Sequence, residues 1–162
     1  MSEILAIPAE NISGNERPTK LLGLRGEAIA AEYLIGNGYR LVMSNFTVPV
    51  GRNSRGAQIT GEIDIIALDR ETLCFIEVKT RRSEEFTPIL TAVDIRKQRQ
   101  ITRTARVYRR IFGLIDISYR FDVVTVLIAA DEKPKIDLVK AFWNESKFRK
   151  LSWQRQFQQN YI

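Results

Sequence analysis

The stretch Gly61–Arg81 reads GEIDIIALDRETLCFIEVKTR, two apolar runs joined by a polar turn, with acids set inside both runs. Short runs rich in Ile, Val and Phe, bounded by turn residues, specify strands. Strands are therefore expected over about Glu62–Leu68 and Leu73–Thr80, with Asp69-Arg70-Glu71-Thr72 as the turn of a hairpin. Pairing symmetric about that turn sets Leu68 opposite Leu73, Ile66 opposite Phe75, Asp64 opposite Glu77 and Glu62 opposite Lys79. Side chains alternate along a strand, so these pairs share one face. The other face carries Ile63, Ile65, Ala67, Cys74, Ile76 and Val78 and reads as core. In this register Asp64 and Glu77 have Cβ atoms about 4.5–5.5 Å apart. Carboxylates that close repel unless they share a proton or a cation.

A solvated outer face accounts for charges on many antiparallel hairpins. Here the same face turns apolar at Ile66 and Phe75, and the charges gather only at the end away from the turn. The pattern reads as a two-sided sheet with a charged notch at one end. Asp on one strand with Glu-x-Lys on its neighbour offers hard oxygen ligands, which suit Mg2+ or Mn2+ and not zinc. Such an ion acidifies its water and screens phosphate charge, and an adjacent lysine can orient or activate that water. Alternation puts Lys79 on the face of Glu77, as that role requires.

The chain has 162 residues, enough for one domain with a real core, and its 44% hydrophobic and 27% charged content is that of a globular protein. No apolar run approaches the roughly 18 residues of a membrane span. An acid at Glu3 beside a short apolar patch argues against a secretory signal. A lone cysteine, Cys74, permits no internal disulfide, and together these features suit the cytoplasm. Histidine is absent, which excludes Ser-His-Asp and Cys-His nucleophile systems, His-metal nucleases and ordinary zinc sites. Acid–base or metal chemistry must rest on carboxylates, Lys, Tyr or bound water. A net charge of +6 and a pI near 9.7 favour a polyanionic partner.

Working outward, residues 1–18 read as a flexible lead-in broken by Pro8, Gly14 and Pro18, residues 19–143 as the domain, and residues 144–162 as a C-terminal extension. A helix is expected from Thr19, its apolar stripe Leu24, Ala28, Ala31 and Ile35, ended by Gly36-Asn37-Gly38. A strand over Tyr39–Phe46 precedes a polar loop, Thr47–Thr60. A long helix over about Thr91–Phe112 should bury Val93, Ile101, Ala105, Tyr108 and Phe112, with Gly113 ending it. Arg120–Ala130 reads as a strand buried on both faces, and Lys135–Val139 as a short edge strand. From Trp143 the tail is basic, Gln-rich and aromatic, a marginal helix. This order implies an α/β fold, one mixed sheet covered by helices.

RGEAIAAEYL (Arg25–Leu34), GEIDIIA (Gly61–Ala67), FIEVKTR (Phe75–Arg81) and RFDVVTV (Arg120–Val126) resemble the YraN-like family of the restriction-endonuclease-like PD-(D/E)xK superfamily, over roughly residues 20–143. The set is also similar to archaeal Holliday junction resolvases, with an early helical Glu, an Asp strand and an E-x-K strand. The resemblance implies a mixed central sheet flanked by helices and a metal held by Asp64 and Glu77. It implies that Lys79 is the catalytic lysine and Glu27 the helical carboxylate. The segment between Phe46 and Gly61 is longer than the short link usual in that family. The superfamily also contains members that have lost cleavage.

Other residues each carry two readings. Glu27 either joins the metal site or forms an ion pair with Arg25 or another basic residue, and Glu62 either supports the site or pairs with Lys79. Lys97, on the apolar stripe, either snorkels or contacts phosphate. Arg96, Arg99, Arg103, Arg106 and Arg110 recur at helical spacing with no interleaved acid, which suits either a solvated face or a phosphate track. Arg52, Arg55, Arg81 and Arg82 could extend the track. Trp143, Phe148 and Trp153 could stack on bases, although core packing explains them as well. The leading expectation is a Mg2+- or Mn2+-dependent DNA phosphodiesterase, endonuclease-like, that could pair as a homodimer. The alternative is a nucleic-acid-binding or complex-forming protein of the same fold that does not cut.

Overall fold

The computed structural model describes residues 18–82 and 93–148. The expected lead-in, the helix start at Thr91, Trp153 and most of the C-terminal extension lie outside those residues. Helix α1 spans Pro18–Gly36, followed by strands β1 (Arg40–Arg52), β2 (Gln58–Asp69) and β3 (Thr72–Arg81). Helix α2 (Ile95–Ile111), β4 (Tyr119–Leu127) and β5 (Lys135–Trp143) complete the order. The strands lie β1-β2-β3-β4-β5 in a single sheet, antiparallel throughout except for the β3–β4 pair. A parallel pair needs a crossover, and α2 supplies it. Among the described residues no helix is long and apolar enough to cross a membrane.

Two apolar layers sandwich the sheet. Ala30 and Leu34 of α1 pack on Ile65, Ala67, Cys74, Ile76, Val78, Val124 and Val126. Ile101, Ala105 and Tyr108 of α2 pack on Ile63, Ile66, Phe75, Phe121, Val123 and Trp143. β4 is thus buried on both faces, as its unbroken apolar run implies. Trp143 stacks on Phe121 with ring centroids 4.8 Å apart, so it is core, and it ends β5, where a helical tail was expected.

Several expectations are corrected. In α1, Leu24, Ala28 and Ile35 are exposed, and the buried line runs through Gly26, Ala30 and Leu34. The many small apolar residues of this helix leave its periodicity ambiguous, and contact with the sheet selects the phase. In α2 the N-cap is Asp94, whose side chain accepts a 2.8 Å bond from the Lys97 amide, and Phe112 at the other end is 48% exposed. The expected loop Thr47–Thr60 is mostly strand: β1 and β2 stay paired out to Arg52 and Gln58. Ile63 faces α2, not α1, which marks a break in alternation between Ile63 and Ile65.

Candidate active site

That break lies at Asp64. The β2–β3 ladder runs in the expected register from Asp69 opposite Thr72 to Ile65 opposite Ile76, and there it ends. Asp64 and Glu77 were expected to continue it. Instead the Asp64 carboxylate takes the place of a main-chain acceptor, its Oδ2 receiving the Val78 amide at 2.7 Å. The strands fork at this point, and the gap lets groups from both helical layers reach Asp64. Glu27 of α1 and Lys97 of α2 both act on its charge, beside the dominant effects of burial and Glu77.

Glu77 keeps the predicted face and is nearly fully buried. Its Oε1 receives Lys79 Nζ at 2.9 Å and Lys97 Nζ at 3.5 Å. Its Oε2 is buried and has no hydrogen-bond partner among the described residues. A buried polar atom left unpaired costs free energy and calls for an explanation. Burial first, and the neighbouring Glu77 second, push Asp64 up to about 7, while the Val78 amide and Lys97 oppose them. Burial likewise raises Glu27, opposed by a hydrogen bond from the Asn45 side chain and reinforced by Glu62 and Glu77.

The predicted residues therefore converge: Glu27, Asp64, Glu77 and Lys79 share one charged site, with exposed Glu62 at its rim. Lys79 bonds Glu77, not Glu62, and Arg25 is exposed while Glu27 takes Asn45 as its partner. Lys97 belongs to the site instead of the arginine track. Arg96, Arg99, Arg103 and Arg110 lie exposed along α2, but Arg106 is ion-paired with buried Glu145, which Tyr119 also bonds. Arg99 lies over the Phe148 ring. Arg81 is half-buried and its carbonyl accepts the Ile128 amide, which closes the end of the β3–β4 ladder.

Two motif glycines explain how the helices come this close. A Cβ on Gly26 would meet Thr80 Oγ1 at 1.8 Å, so only glycine lets α1 settle on β3 and bring Glu27 alongside. A Cβ on Gly61 would meet Thr104 Oγ1 at 2.0 Å, so glycine again lets α2 press on β2. Sequence reasoning passed over both glycines, and Asn45 as well. Asn45 sits in a strand at φ 52°, a conformation Asn tolerates, and an Asn amid a strand pattern is the one signal that could have found it.

The chemistry open to this set is that of hard cations and phosphates. Oε2 of Glu77 and the remaining oxygen of Asp64 fit an oxygen-seeking divalent ion, with ammonium groups next to it. Among the described residues no three His, Cys, Asp or Glu side chains form a metal cluster. Mg2+ accords with that, since it commonly takes one or two carboxylates and fills its shell with water and phosphate.

Comparison with known proteins bears on this architecture. A UPF0102 protein of Chlorobium limicola is 40% identical over 131 residues, covering 77% of this chain and 94% of its own. One of Geobacter sulfurreducens is 41% identical over 118 residues, covering 73% and 84%. A Holliday junction resolvase of Archaeoglobus fulgidus is a low-scoring structural neighbour, with a TM-score of 0.35, 17% identity, and coverage of 71% of this chain and 75% of its own. The profile of the Uncharacterised protein family UPF0102 matches residues 26–126, from the α1 glycine through β4. By profile and by relatives alike, the chain belongs to the UPF0102 family, the YraN-like family its motifs resemble.

Proposed function

We propose that the protein is a metal-dependent phosphodiesterase acting on DNA, endonuclease-like, with Asp64, Glu77 and Lys79 as its chemical set. One observation carries the reading: the buried, partnerless Oε2 of Glu77 beside the carboxylate of Asp64, at a fork that opens the sheet. Asp64 and Glu77 would hold Mg2+ or Mn2+. When bound, the ion would supply Lewis-acid stabilisation of charge on a phosphoryl oxygen. Lys79 is 34% exposed, so its ammonium can touch both Glu77 and an incoming phosphate or water. Lys97, 29% exposed, offers a second cation from α2. Glu27 adds its charge to the site from the α1 side. The exposed guanidiniums of Arg96, Arg99 and Arg103 continue outward from Lys97 along α2 and suit phosphate contacts.

The test separates metal from chemistry. Calorimetric titration with Mg2+ and Mn2+ should show at least a tenfold loss of affinity in Asp64→Asn, because a carboxylate ligand is gone. Lys79→Ala should keep metal affinity and DNA binding yet lose most cleavage at saturating DNA, assayed on linear, nicked, flap and junction substrates. Unchanged metal affinity in Asp64→Asn overturns the site. DNA binding with no cleavage of any substrate by the wild type would favour the non-cutting alternative.

A further inference from the structure

The β1–β2 pair does not stop at the site. β3 leaves β2 after Ile65, but β1 remains on β2 through Thr47–Glu62, Val48–Gly61, Pro49–Thr60, Gly51–Ile59 and Arg52–Gln58. A two-stranded ribbon therefore runs on beyond the fork, with no third strand beside it among the described residues. From Thr47 to Thr60 its charged residues are Arg52 and Arg55, with no acid.

The tip is built, not slack. Asn53 Oδ1 accepts the Arg55 and Ala57 amides at 2.9 Å each, and the Asn53 and Ala57 main chains pair at 2.8 Å. Gly56 supplies the φ of 79° that the turn needs, and Arg52 Nη1 braces its carbonyl at 2.8 Å. The base is held as firmly. Gln100 of α2 donates to the Thr60 carbonyl at 2.8 Å, and Gly61 lies against both Thr104 and Val50. Arg96 and Arg103 flank Gln100 and Thr104 on the same helix, so the ribbon emerges beside the arginine face. Every residue of the tip from Gly51 to Gln58 is exposed.

We propose that this ribbon is a groove-engaging arm that makes duplex DNA the substrate class of the adjacent site. The assignment rests on the nuclease reading above and adds which nucleic acid fits. A B-form major groove, about 12 Å wide, admits a two-stranded β-ribbon. The major groove of A-form RNA is too narrow and deep for side chains to read. Strands rise about 3.4 Å per residue, so Gln58 lies roughly 20 Å along the ribbon from Asp64. At about 3.4 Å per base pair the tip meets the duplex about six base pairs from the phosphate at the site.

The experiment uses the full chain and matched duplex DNA, single-stranded DNA and duplex RNA. Each phosphate contact steepens the dependence of log affinity on log salt by about 0.9 for B-DNA. Arg52→Gln/Arg55→Gln should flatten the duplex DNA slope by up to about 1.8 and weaken binding up to about 60-fold at 0.1 M salt. Arg55→Gln alone, which spares the brace on Gly56, should lose about half of that slope. Affinity for single-stranded DNA and duplex RNA should change little. A thiol-linked iron chelate on Ser54→Cys should cut bound duplex about six base pairs to one side of the metal-site position. Cys74 will not compete for the label, because it is buried and its thiol is pushed up to about 12. Equal slopes for wild type and double variant, equal losses on all three nucleic acids, or scattered chelate cuts would each overturn the arm. Absence of duplex binding by the wild type would instead sink the nuclease reading itself.

Discussion

The two ends of the β2–β3 hairpin both gather acids and cations and come out opposite. At the turn end, Asp69 accepts Arg120 Nη2 at 2.7 Å and Lys140 Nζ at 2.9 Å. Arg120 Nε bonds both oxygens of fully buried Asp122 at 3.0 Å, and Asp122 also receives the Ala141 amide at 2.8 Å. Tyr39 accepts from the same guanidinium. Asp69 and Asp122 both have cationic partners, and Arg120 first, then Lys140, holds Asp69 down to about 2. At the forked end two lysines crowd a single oxygen of Glu77, the other oxygen has no partner, and Asp64 is pushed up to about 7. The planar fork of arginine can serve several acceptors at once, while a lysine ammonium is a point charge that leaves geometry open. One end is a finished structural network. The other leaves a buried carboxylate oxygen without a partner among the described residues.

Breaking the finished end should cost most. Asp122→Ala strips Arg120 of its buried partner and leaves the Ala141 amide unpaired, a loss of about 3–5 kcal/mol in urea unfolding and roughly 10 °C in thermal midpoint. A loss below about 1 kcal/mol would mean the network is ornamental.

The pH profile sharpens the contrast, because the two aspartates act with opposite sign. The folded Asp64 value of about 7 lies above its ordinary 3.8, so the native state holds the proton more tightly. Its stabilisation is complete below about pH 4 and is lost as pH rises through 7. The loss is on the order of a few kcal/mol without metal. Asp69, at about 2, contributes stability that is complete above about pH 4 and lost as pH falls toward 2. Asp64→Asn should therefore flatten the neutral side of the metal-free stability curve, and Asp69→Asn the acid side. Urea midpoints from pH 3 to 8 decide it; parallel curves for wild type and Asp64→Asn would show that folding does not raise the affinity of Asp64 for its proton.

The smallest effects concern how α1 reaches the fork. Gly26→Ala drives a Cβ into Thr80 and should cost about 1–3 kcal/mol while displacing Glu27. Gly23→Ala, in the same helix with nothing within 4 Å, should stabilise by about 0.5–1 kcal/mol. Equal effects at the two positions would show that Gly26 is a matter of helix propensity and not of close approach.

Much of this was legible before any coordinates. The hairpin turn, its register from Leu68–Leu73 to Ile66–Phe75, the shared face of Glu77 and Lys79 and the doubly buried β4 all follow from short-range alternation. So does the candidate acid set, because carboxylates within strands contradict their apolar surroundings. The phase of α1 was not legible, since small and apolar residues occur on several of its faces and only contact with β3 picks Gly26, Ala30 and Leu34. The polar composition of Thr47–Thr60 hid a ribbon, because main-chain pairing in largely exposed strands needs no long apolar run.

By itself the sequence determined which residues carry charge into the sheet and on which strand each one sits. Local periodicity is enough for that, since side-chain direction alternates wherever backbone pairing is regular. Only the tertiary structure decided where pairing stops. The fork at Asp64 comes from a competition between a ladder bond and a side-chain carboxylate for the Val78 amide. Lys97 reaches Glu77 because Gly61 lets α2 lie close, and Glu27 reaches Asp64 because Gly26 does the same for α1. These are contacts between elements far apart in the chain, set by steric fit across the sheet, and no short window of sequence contains them.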